Sequence, residues 1–204
     1  AVPGRRRPVQ SPHRIVSVEG SPMDHELRQA TPEEAEALHE IVRRCGVDLR
    51  ERRLISFWDP PYPLQLFRRA AESGYVFGVY DGGVPVATFT LTDDPPGYYD
   101  MTVWAQPDAP AAYASRLAVQ PELQGRGLGT WCMRALERVA RERGARAVRF
   151  DAVDDRPELL TFYDGRGYER RAVLDLTFTD EDRRRFGARD TRVVCFERLL
   201  TDAN

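Results

Sequence analysis

A chain of 204 residues, 42% of them apolar, can bury one sizeable core but not two, so a single domain is expected. Its 30 basic residues, all arginine, face 32 acids, and the resulting net charge of -2 gives no general attraction to nucleic acid or to an anionic membrane. No apolar run is long enough to cross a bilayer and no secretory h-region opens the chain, so the expectation is a cytoplasmic protein without a membrane partner.

Residues 1–24 carry four prolines and the run Arg5-Arg6-Arg7 but little apolar content, and read as an extension before a domain spanning 25–204. Residues 26–30 read as a strand. Thr31-Pro32-Glu33-Glu34 is a helix start, with Thr31 as N-cap, proline in the first turn and acids facing the positive end of the dipole. Leu38, Ile41 and Val42 form its buried face, and Gly46 is expected to end it. The aromatic link Phe57-Trp58-Asp59-Pro60-Pro61-Tyr62 leads to a second helix over 63–72. Alternation predicts strands over 74–80 and 84–92, joined at Asp81-Gly82-Gly83 in a hairpin. Segment 93–112 holds four prolines, Tyr98, Tyr99 and Trp104, and loops of that length are commonly functional or disordered. A strand over 114–119 and a helix over 130–143 follow, with Gly144 at its C-terminal cap. The next strand, 148–152, should run parallel to 114–119 because a helix joins them. A short helix over 157–164 and strands over 168–178 and 192–199 complete the chain, separated by a charged, solvated turn over 179–190.

The most informative stretch lies between the strand at 114–119 and the long helix. In Gln124-Gly125-Arg126-Gly127-Leu128-Gly129, glycine at every second position lets backbone N–H groups approach a ligand closely. The loop opens straight into a helix, so unpaired amides and the positive dipole end converge on one anion, and Arg126 adds a full charge. Glycines in such a loop can equally serve a turn alone, so the surroundings decide. A dinucleotide fold is disfavoured, because Thr130 stands where its third glycine belongs and too little chain follows Asp151 for a second half. A phosphate-transferring P-loop is excluded by the absence of lysine.

Gln124-x-x-Gly127-x-Gly129 after a hydrophobic strand, followed by Phe162-Tyr163-Asp164-Gly165-Arg166-Gly167-Tyr168, resembles the GNAT superfamily of acyl-CoA N-acyltransferases. The resemblance implies an α/β (α+β) fold: a mixed, mostly antiparallel sheet with two splayed parallel central strands, flanked by helices. It implies acetyl-CoA as cosubstrate, with Gln124, Gly125, Arg126, Gly127, Leu128, Gly129 and Thr130 around the pyrophosphate. The backbone of Leu117, Ala118 and Val119 would meet the pantetheine and acyl carbonyl, and Tyr163 would lie near the thioester sulfur as general acid. Asp154, Asp155 and Arg156 depart from the asparagine that relatives often place before the second motif.

The reaction so implied is acetyl transfer to a primary amine by direct attack in a ternary complex. A small cationic acceptor is expected from the acids and aromatics of 93–104 and from Trp58 and Asp59, since carboxylates and aromatic faces both favour a cation. The amine must shed a proton, and Asp100, Glu122 and Asp151 are all open as its base. A non-catalytic acyl-CoA-binding regulatory domain is the alternative, and a homodimer is left open. Cys45, Cys132 and Cys195 show no C-x-x-C spacing and His13, His25 and His39 no ligand pair, so no disulfide framework and no metal are expected.

Overall fold

A computed structural model describes residues 25–52, 62–186 and 190–200; the extension and Phe57 to Pro61 of the aromatic link lie outside them. Strand β1 (Glu26–Gln29) lies antiparallel to β2 (Val76–Asp81), which pairs with β3 (Val84–Thr92) across a two-residue turn. Gly82 and Gly83 take φ of 55° and 81°, the left-handed pair that a type I′ turn needs and that side chains resist. With β4 (Ala111–Val119), β5 (Ala147–Val153), β6 (Glu169–Leu176) and β7 (Thr191–Leu199), the sheet has the order β1-β2-β3-β4-β5-β7-β6. Only β4 and β5 run parallel, so the expected mixed, mostly antiparallel sheet is present.

Alternation along the strands sends apolar side chains to two layers. Val76 and Tyr80 face α1 (Ala35–Glu51) and α2 (Leu64–Glu72), packing with Leu38, Val42 and Phe67. On the opposite face Phe77, Val79 and Phe89 join α3 (Leu128–Glu142) through Trp131, Cys132, Leu136 and Val139. Helix α4 (Pro157–Asp164) adds Leu160 and Tyr163 to that second core.

Three local expectations change. Helix α1 runs through Gly46, which is itself buried beside Cys45, and burial there outweighs glycine's cost of about 1 kcal/mol in a helix. It begins at Ala35 rather than beside Thr31; Pro32 to Glu34 form a lead-in turn, and the Thr31 N–H donates to Glu34 Oε2 at 3.0 Å. Where a solvated turn was expected, α5 (Asp180–Phe186) forms. Acids at its start and arginines after them complement the helix dipole, and Arg183 Nη2 pairs with Asp190 at 2.7 Å.

The central feature is the parting of β4 from β5. They pair only through Ala111, Ala112 and Tyr113, and β4 then carries a bulge against β3 between Ser115 and Ala118. Arg116 sits in it at φ 53°, the one non-glycine residue at positive φ among the described residues. The bulge reverses the strand's phase: Ala112 and Ala114 face the α3 layer before it, whereas Leu117 and Val119 face that layer after it.

Candidate active site

One cavity of about 1070 Å³ occupies the gap between the parted strands. Leu117, Ala118 and Val119 from β4, Gln124, Gly125, Gly127, Gly129 and Thr130 from the loop, and Tyr163 from α4 all line it. Arg126 and Leu128 do not. Arg126 is exposed, and Leu128 turns inward, 2% exposed, to anchor the start of α3 in the core.

Gly127 sets the loop's geometry. At φ 90° it is the N-terminal residue flanking α3, no side chain caps the helix, and the first helical amide with a backbone acceptor is that of Trp131, on Gly127 O. The earlier amides therefore point their partial positive charge into the mouth of the cavity. A Cβ built on Gly127 would meet no atom within 4 Å, so the bare backbone there faces open space. The Gln124 side chain has a structural duty: its Nε2 donates to Val119 O at 3.0 Å and holds the loop against the end of β4.

Tyr163 lies on the α3 side of the gap, with ring centroids 4.5 Å from Phe150 and 5.3 Å from Phe196. Burial pushes its phenol up to about 12, so it is protonated at neutral pH. Of the three acids open as base, only Asp151 lines the cavity. Asp100 Oδ1 accepts from the Thr102 N–H at 2.9 Å and caps a single 3-10 turn, Met101–Val103, while Glu122 pairs with Arg44 on the surface. Asp151 accepts from Tyr98 at 2.9 Å and from Tyr99 at 2.6 Å. Burial raises its carboxyl above the usual range, and the two phenol donors oppose the rise only in part.

Strand alternation puts the two groups on opposite sides of one gap. Phe150 and Ala152 of β5 pack toward the α3 layer beside Tyr163, so Asp151 between them faces the other way. Tyr98 and Tyr99 come from the long segment 93–110, which is held by a buried ion pair. Arg149 Nε meets Glu197 Oε1 at 3.0 Å with both side chains fully buried, and Glu197 Oε2 accepts the Ala105 N–H at 2.9 Å. Sequence reasoning missed Arg116 as a lining residue. Its signal was the apolar spacing itself, since alanines at 112 and 114 followed by Leu117 and Val119 break a strict period of two. Asp93, Asp94 and Asp100 are exposed, and Trp58 and Asp59 lie outside the described residues. Among the described residues no group of three His, Cys, Asp or Glu side chains could hold a metal ion, and no helix is long and apolar enough to cross a membrane.

Two parallel strands parted beside a glycine loop that opens into an uncapped helix define an acyltransferase-type α/β fold. The chain belongs to the acetyltransferase (GNAT) family, whose model matches residues 35–168. No curated protein sequence matches it. Among solved structures, a GNAT-family acetyltransferase from Streptococcus agalactiae aligns with a TM-score of 0.72 at 12% identity, over 93% of this chain and 100% of its own. One from Listeria monocytogenes aligns at 0.69 and 14%, over 91% and 100%. A putative acetyltransferase from Salmonella typhimurium, solved with its cofactor acetyl-CoA, aligns at 0.61 and 16%, over 88% and 96%. At such identities the likeness concerns the fold alone.

Proposed function

We propose that this protein is an N-acetyltransferase moving an acetyl group from acetyl-CoA to a primary amine of a small acceptor, by direct attack while both are bound. The observation that carries the reading is one cavity flanked by a protonated phenol, Tyr163, and a proton-accepting carboxylate, Asp151, with the open start of α3 at its mouth.

The backbone amides of residues 125–130 and the exposed Arg126 suit the pyrophosphate, and the parted stretch of β4 at Leu117, Ala118 and Val119 offers backbone groups to the pantetheine and the acetyl carbonyl. The acceptor enters as an ammonium ion, and the Asp151 carboxylate with the faces of Tyr98 and Tyr99 favours that cation. Asp151 takes one proton and frees the nitrogen lone pair. The C–N bond then forms, the C–S bond breaks, and Tyr163 protonates the departing thiolate. In sum the ammonium gives up two protons, one ending on the sulfur by way of Tyr163 and one reaching solvent by way of Asp151. A covalent acetyl-cysteine route is disfavoured: burial pushes the thiols of Cys45 and Cys195 up to about 12, leaving no thiolate for attack.

Release of free thiol from acetyl-CoA, followed over a panel of primary amines, tests the reading. Turnover with an amine and none without it is expected. Binding of acetyl-CoA with no thiol release for any acceptor would replace this reading with that of a regulatory acyl-CoA-binding domain.

A further inference from the structure

The wall of the cavity carries a cation with no counter-ion among the described residues. Arg116 leaves the β4 bulge and stacks its guanidinium 4.3 Å over the Tyr62 ring, while Nε reaches Thr90 Oγ1 at 3.3 Å. Among the described residues no carboxylate lies within ion-pair distance of it. Its neighbours differ: Arg52 pairs with Asp48 at 3.4 Å, and Arg166 donates to the Phe162 carbonyl at 2.5 Å and to Thr130. Arg116 lines the cavity, and its terminal nitrogens are not enclosed by protein. Loss of water on burial holds this guanidinium below its ordinary value.

Holding an unpaired guanidinium in a cavity wall is costly unless an anion completes it. A planar fork of N–H donors fits a carboxylate in two-point contact better than any neutral group. Arg116 and Asp151 line the same cavity as Tyr98, whose hydroxyl donates to Asp151 at 2.9 Å. One ligand a few bonds long can therefore answer both charges, its ammonium toward Asp151 and its anion toward Arg116.

We propose that Arg116 is the carboxylate receptor of the acceptor pocket, so that the acceptor is a small amino acid whose carboxylate lies a few bonds from the amine that is acetylated. This rests on the N-acetyltransferase reading above and narrows its acceptor from a cation to a zwitterion.

Thiol release is measured with matched triplets: an amino acid, its carboxamide and its decarboxylated amine, for example phenylalanine, phenylalaninamide and phenethylamine, and the same for an aliphatic and a thioether side chain. For at least one triplet kcat/KM for the amino acid exceeds that of the other two on the order of 10²-fold, the scale of truncating one partner of a buried charge pair. In Arg116→Gln that ratio collapses to within about threefold, mainly through KM, and Arg116→Lys restores part of it. The wild-type ratios stand even where a variant fails to fold. Amines and amides turned over as well as the acids, or an undiminished ratio in a folded Arg116→Gln, overturns this inference and leaves acetyl transfer standing. No thiol release with any compound overturns the function itself, and this inference with it.

Discussion

The Tyr163 ring packs among aromatic side chains, and its hydroxyl has no hydrogen-bond partner among the described residues, so the chemical and structural duties of the side chain can be separated. Tyr163→Phe keeps the ring, and the melting temperature is expected to hold within a degree or two. Single-turnover acetyl transfer at saturating acetyl-CoA should fall on the order of 10²-fold, the usual loss for a general acid; a wild-type rate would remove Tyr163 from the mechanism. Asp151 couples rate to stability through the opposite sign. Burial raises its folded-state affinity for a proton, so the folded chain holds more protons than the unfolded one between the two pKa values, and stability falls as pH rises through that window. Asp151→Asn keeps an oxygen to accept from Tyr98 and Tyr99 but removes the buried charge. The variant should melt higher than wild type above the window and equal to it below, while its rate is lost at every pH. A melting temperature that tracks wild type across the whole pH range would mean that the carboxylate is not strained by burial.

Two elements carry the site, and each can be disturbed alone. The loop that opens α3 depends on bare backbone at Gly127, where φ is 90° and a side chain would project into open space. Gly127→Val costs about 1–2 kcal/mol of backbone strain and fills the space that a pyrophosphate needs. A folded variant with no acetyl-CoA-induced rise in melting temperature is expected; an unchanged rise would move the phosphate site elsewhere. The segment bearing Tyr98 and Tyr99 depends on Glu197, which holds Arg149 and the Ala105 amide together and also accepts from Arg171. Glu197→Ala leaves Arg149 charged and buried without its carboxylate, which destabilises by about 3–5 kcal/mol. Hydrogen exchange at the Ala105 amide should accelerate with it, and unaltered exchange would show that the segment is held by other contacts.

For the whole molecule, one continuous sheet with a core on each face predicts a single cooperative unfolding transition in calorimetry. Acetyl-CoA at a hundredfold excess over Kd should add about 2.7 kcal/mol to it. Two separated transitions would contradict a single domain over 25–204. Most of this architecture was legible in the chain, because strand alternation, the Gly82-Gly83 turn and the glycine loop are local signals that packing left in place. Gly46 and α5 were misread because burial of a helix face and charge–dipole pairing outweighed local propensity. Which of the three acids would line the cavity was not legible at all. Asp100, Glu122 and Asp151 are alike in sequence, and only folding sends two of them to the surface and one between Tyr98 and Tyr99. The bulge at Arg116 has a further consequence for how such a protein can diversify. As an extra residue in β4 it belongs to neither period of the strand, so Leu117 and Val119 keep their place toward the α3 layer whatever side chain the bulge bears. Exchange of that one side chain can retune the lining of the cavity while the face bearing Leu117 and Val119 stays as it is, whereas deletion of the residue would turn the last residues of β4 inside out.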